Sequence, residues 1–167
     1  MRLAHKIPTI LLASVLFAGC DFTVPLVTTP GMDIDKSILG VWQATGDDGK
    51  VEQLLVLALD AREYLVSYPS ASKDGMFARA CLCRTDDKTL VQIKWLGKAD
   101  GTTADDGRVF QFASYTVSSD KMSVRFLNNE VVNKDAASSA ELAKSIAANR
   151  GKPDLFGTTT VFTKVSK

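Results

Sequence analysis

From Gly40 onward the chain breaks into short segments of alternating apolar and polar residues, separated by Gly, Asp, Ser and Pro. No other feature limits the fold as much. A period of two lays every second side chain on one face of an extended strand, and turn residues at short intervals fold successive strands antiparallel. Gly40-Val41-Trp42-Gln43-Ala44 predicts the first strand, and Gly46-Asp47-Asp48-Gly49 predicts a hairpin turn with glycines where positive φ is needed. Residues 51–59 form a long apolar run that predicts a strand covered on both faces. In 63–68, Tyr64, Val66 and Tyr68 share a face. Residues 76–84 predict the next strand. In 90–96, Val91, Ile93 and Trp95 oppose Gln92 and Lys94. Residues 108–117 carry Phe110 and Phe112 on one face, and Met122, Val124 and Phe126 alternate with Ser123 and Arg125. Residues 69–74 and 97–107 read as polar loops.

The period then changes. Ser138 stands three residues before Glu141, the spacing of a capping box, and Leu142 and Ile146 lie four apart on one face. Gly151 and Pro153 are stop signals, so the spacing predicts one amphipathic helix over 138–149. Residues 158–165 close the chain as a last strand. The expectation is a mainly-β domain of about eight antiparallel strands, barrel or sandwich, with one α-helix before the last strand.

Composition narrows the class further. A chain of 167 residues predicts one domain, and 46% hydrophobic with 23% charged residues excludes a disordered chain and a polytopic membrane protein. A net charge of +1 excludes a strongly basic nucleic-acid binder.

The first residues are of another kind. Arg2 and Lys6 precede an apolar stretch over 7–17 that is too short to span a bilayer, and Ala18-Gly19-Cys20 follows. This is the layout of an export signal, 1–19. Its end resembles the lipobox of bacterial lipoproteins, with Phe17 where that box most often has Leu. The resemblance implies diacylglycerol on the Cys20 thiol, cleavage before Cys20 and acylation of the new amine. Two or three acyl chains make a stable anchor. It also implies that Asp21, directly after the lipidated Cys, favours retention at the inner membrane. The expected location is the periplasmic face of a bacterial membrane. Residues 20–36, with Pro25, Pro30 and Thr28-Thr29, read as a tether reaching about 50 Å when extended. Phe22, Val24, Leu26 and Val27 leave two alternatives for it, resting on lipid or packing on the domain at 37–167.

Cleavage before Cys20 removes His5, the only histidine. What remains excludes Ser–His–Asp and Cys–His mechanisms and His-ligated metal sites. No phosphate-loop, dinucleotide or nucleophile-elbow motif is present, and no cofactor is implied. Asp47-Asp48, Asp86-Asp87 and Asp105-Asp106 sit among turn residues, where Asp side chains bond nearby amides. The chain reads as non-catalytic. Cys81 and Cys83 share a strand face and admit three readings: packed small side chains, a disulfide that would need a bulge, or a soft-metal site with Met76.

Gly40-Val41-Trp42 resembles the G-x-W of the first strand of lipocalins and their calycin relatives. The lead-in at 33–39 and the helix before the last strand match their order of elements. The resemblance implies an up-and-down barrel whose last strand pairs with the first. Trp42 would sit at the closed end, covered by a basic residue from a late strand, Arg125 or Lys164. An eight-stranded barrel can hold one small apolar ligand or be filled by its own side chains; Tyr64, Tyr68, Trp95, Phe110 and Phe112 are the candidate lining residues, with plain core packing as the alternative. Residues 19–26, Leu39 to Trp42, 154–157 and 161–163 resemble a group of small bacterial lipoproteins with no assigned activity. The expected partners are the membrane through the anchor, a small apolar ligand, and, with a filled barrel, an envelope protein.

Overall fold

The computed structural model describes residues 21–165 except 47–48, 71, 73, 86–87 and 104–106. The strands are β1 (Gly40–Thr45), β2 (Val51–Ala58), β3 (Glu63–Tyr68), β4 (Met76–Arg84), β5 (Thr89–Lys98), β6 (Phe110–Ser118), β7 (Lys121–Phe126) and β8 (Thr160–Lys164). One helix, α1 (Ser139–Ala148), precedes β8. Each strand pairs antiparallel with the next, and β8 returns to β1 to close the barrel. The closing seam is short, with Trp42 opposite Lys164 and Gln43 opposite Thr163.

Alternation sorts the side chains into two cores. Inside the barrel lie Trp42, Val56, Tyr64, Val66, Tyr68, Ala80, Ile93, Trp95, Met122 and Phe162. A second core lies against the outer wall, where Phe110, Phe112, Leu90 and Cys83 meet Phe22, Leu127, Leu142, Ile146 and Phe156. Helix α1 supplies Leu142 and Ile146 to it. The Ser138 hydroxyl caps α1 by accepting from the Glu141 N–H at 3.2 Å, and the Glu141 carboxylate accepts from the Ala137 N–H at 2.9 Å.

The outer wall departs from expectation at β2. Its apolar run is covered on one face only: Val51, Leu57 and Leu59 remain exposed. A continuous apolar run marks a buried strand when both faces are covered, but α1 and its loop pack on the far side of the barrel, over β4 to β6.

Residues 21–35 pack along the barrel wall as a strap. At its start, which runs antiparallel to β6, the Asp21 and Phe22 N–H groups donate to the Phe110 carbonyl at 3.2 and 3.1 Å, and the Phe110 N–H donates back to the Phe22 carbonyl at 3.1 Å. Midway, Gln92 holds the strap: its Oε1 accepts from the Leu26 and Val27 N–H groups at 2.7 and 3.0 Å, and its Nε2 donates to the Val27 carbonyl at 2.9 Å. At its far end, the Ile34 N–H donates to the Ala61 carbonyl at 3.0 Å. Of the two alternatives for this segment, the structure has the packed one.

Candidate functional site

The barrel has two distinct ends. At one, a 3₁₀ turn (Lys36–Ile38) enters under β1 and pushes Ile38 into the interior core. Trp42, fully buried, donates its Nε1–H to the Ile38 carbonyl at 2.8 Å. Lys164 lies 5.0 Å above the indole ring and donates to the Ser37 carbonyl at 3.4 Å. Of the two basic residues considered for that place, Lys164 fills it. Arg125 serves elsewhere, donating to the Phe156 and Gly157 carbonyls. Gly40 has φ +124°, and a Cβ there would meet the Lys164 stem at 3.4 Å. The first glycine of the motif is thus required by its backbone conformation, while Lys164 lies at ordinary contact distance.

Asp35 gathers the polar groups of this end. Its N–H donates to the Tyr64 hydroxyl at 2.6 Å, and the Tyr115 hydroxyl donates to its Oδ2 at 2.9 Å. Burial disfavours the charged carboxyl, but hydrogen bonds from Ser37 and Tyr115 outweigh it and hold the group below the usual range. The Tyr115 hydroxyl is pushed up by burial and by the adjacent Asp35 carboxylate.

Above this floor lies an apolar, partly open cavity of about 90 Å³. Tyr64, Tyr68 and Trp95 line it, with Leu54, Val91, Ala113, Phe126 and Thr160. The polar tips of the aromatic groups are already engaged. The Tyr68 hydroxyl donates to the Glu52 carboxylate, and Trp95 Nε1–H donates to Gln111 Oε1 at 2.9 Å. The wall facing the cavity is therefore hydrocarbon and ring face. Phe110 and Phe112 do not line it. Both stand on the outer face of β6 in the second core, where Phe112 meets the Phe22 ring edge-on at 5.2 Å between centroids. Alternation places two residues on one face without saying which face is inside.

Cys81 and Cys83 share a face, the outer one. Both are buried free thiols. A bridge would need a bulge between them, and the strand is regular there: Cys81 pairs with Gln92 and Cys83 with Leu90, while the irregularity of β4 falls between Phe77 and Ala78. Met76 packs against the interior core instead of joining them. Among the described residues no group of three or more His, Cys, Asp or Glu is placed to hold a metal ion. Burial pushes the Cys81 thiol up to about 11 and the Cys83 thiol up to about 12. The nucleophilic thiolate is therefore scarce at neutral pH. A thiol reagent at pH 8 is expected to label neither in the native protein and both after denaturation. Rapid native labelling would contradict this burial.

Sequence reasoning missed Gln92 and Gln111, read as ordinary strand residues, and Glu52 and Asp35, which have no motif. Gln92 offered one signal, its place between two inward apolar residues, but its partners lie in a segment 65 and 66 positions away. Cys20 and the paired aspartates at 47–48, 86–87 and 105–106 lie wholly or partly outside the described residues, as do parts of the loops 69–74 and 97–107. Among the described residues no helix is long and apolar enough to cross a membrane.

The fold and its floor define a closed eight-stranded antiparallel barrel with one helix before the last strand, the architecture of lipocalin-like proteins. No protein-family model matches the chain, and no curated protein is significantly similar to it.

Proposed function

We propose that this protein is a lipid-anchored, non-catalytic periplasmic lipoprotein whose barrel takes up a small apolar molecule. The observation that carries the reading is the partly open, hydrocarbon-walled cavity inside a closed barrel, with its tyrosine and tryptophan polar atoms turned to protein partners. The Cys20 lipobox and the preceding export signal support the anchor. The size of the cavity restricts the ligand. An engineered apolar cavity of about 150 Å³ takes one benzene ring. A space of about 90 Å³ suits a fragment of that order or the end of a hydrocarbon chain, not a haem.

Native mass spectrometry with solvent extraction, on protein purified from the bacterial envelope, tests the reading. A near-stoichiometric apolar molecule is expected. Ala113→Leu gives the matching loss. Ala113 is buried and lines the cavity, so the added atoms fill it. At roughly 24 cal/mol per Å³ the filled void returns up to about 2 kcal/mol of stability, while the bound molecule disappears. Stability that falls, with the ligand retained, would place that molecule elsewhere.

A second reading, an envelope-protein docking module with a filled core, is favoured by the exposed Leu57 near the end of β2 and Leu59 in the turn that follows it. An empty barrel on extraction, in a protein that Ala113→Leu destabilises by overpacking, would turn the choice to it.

A further inference from the structure

The barrel wall is treated differently on its two halves. Over β4 to β6 the outward side chains join the second core, under α1, its loop and the strap. On β8, β1, β2 and β3 they do not. Trp42, Val56, Tyr64 and Phe162 are the inward residues of those strands, so alternation turns Val41, Leu55, Leu65 and Val161 outward. None of these four belongs to either core. Among the described residues, six of the seven exposed large hydrophobic side chains gather on this half. They are Val51, Leu57 and Leu59 along β2 and just past it, Val161 and Val165 along β8 and just past it, and Phe77 at the margin on β4. Their exposure runs from 36% at Val165 to 60% at Val51.

The register joins them into one surface. Val41 lies opposite Leu55, and Leu57 opposite Leu65. The Val165 N–H donates to the Val41 carbonyl at 2.9 Å, which brings β8 alongside. Ser67 stands between Leu55 and Phe77. The polar groups of the face are neutral: Gln43 has Gln53 on one side and Thr163 on the other. Glu63 is the only ionisable outward residue of these four strands, and it is paired with Arg79 of β4.

We propose that this face is the contact between two copies of the chain. A two-fold axis sets the same patch against itself, so a patch of like charges would repel its copy. This one has no unpaired charge. Its amides and hydroxyls each donate and accept, so Gln43, Gln53 and Thr163 can bond the same residues across the axis. A foreign partner is usually selected through charged groups of opposite sign, and the face offers none. Four strands about 4.8 Å apart, over six residues at about 3.4 Å each, span about 19 by 20 Å. That is the low end of specific interfaces, so the dimer is weak and depends on concentration. The contact does not depend on what the cavity holds.

The test uses the full chain in bacterial cells. A photoreactive benzophenone side chain replaces Leu55, at the centre of the face, or Lys144, exposed on α1. After irradiation, a denaturing gel reads the mass of the product and peptide mass spectrometry reads its partner. The expected result at 55 is a product of twice the chain mass, joined to residues of this same face, and at least tenfold weaker at 144. Leu57→Glu and, separately, Val161→Glu place a carboxylate in the contact and should each reduce the product at least tenfold. Leu57→Met should leave it unchanged. Both glutamate variants alter exposed positions, so their thermal unfolding should match that of the parent chain. No product of twice the mass at 55, or a product containing a different protein, overturns the proposal. So does a dimer that both glutamate variants leave intact.

Discussion

Replacing Trp42 by alanine should lower the unfolding free energy by about 3–5 kcal/mol, the range for a large buried aromatic. The indole is fully buried at the floor of the barrel, where Ile38 closes the interior. Its removal opens a cavity, leaves the Ile38 carbonyl without its Nε1–H donor, and takes away the ring beneath Lys164. Trp42→Phe separates these effects. It keeps most of the volume and loses the hydrogen bond, so roughly 1–2 kcal/mol is expected, near the cost of one unmade buried bond. Urea unfolding monitored by circular dichroism supplies both values. A loss under about 1 kcal/mol for the alanine variant would mean that the floor is not packed around this residue.

Phe22→Ala should be nearly as costly, again on the order of 3–5 kcal/mol for a buried phenylalanine. The residue lies in a segment that reads as a tether, and in a free tether the substitution would change nothing. In the structure Phe22 packs edge-on against Phe112 within the second core and shares backbone bonds with Phe110. If the strap peels before the barrel opens, part of the loss appears as local unfolding. Hydrogen exchange at the Phe110 amide, which donates to the Phe22 carbonyl, reads that part directly. Wild-type stability together with unchanged protection at this amide would show that the strap contributes nothing.

The strands were legible because alternation and turn residues coincide. Residues 63–68 and 76–84 match β3 and β4 residue for residue, and the capping box located α1 to within a residue or so. The side of the sheet was not legible. The period of β6 groups Phe110 with Phe112 and Ala113 with Tyr115, but both sets are apolar, and only the placement of the helix and strap decides which is inside. The strap hid for a related reason. Its prolines and threonines suggest an extended linker, and it is extended. What fixes it are partners distant in sequence, Gln92 and Phe110 first among them, and Ala61 at its far end. Tyr64, Tyr68 and Trp95 reach the cavity because each sits among the inward residues of its own strand.

Both ends of the chain depend on partners made late. Phe22 waits for Phe110, and β1 waits for β8, whose seam pairs Trp42 with Lys164. Contacts so distant in sequence must overcome a large loop-closure entropy before they return any stabilisation, and such topologies fold slowly. The strap therefore stays uncovered until β6 has formed, and the free edge of β1 until the last strand arrives. In that interval the chain offers an unpaired strand edge, the feature most prone to pair with a second molecule. Nascent copies that are not kept apart would join through β1, so the step most sensitive to chaperone supply is closure of the barrel.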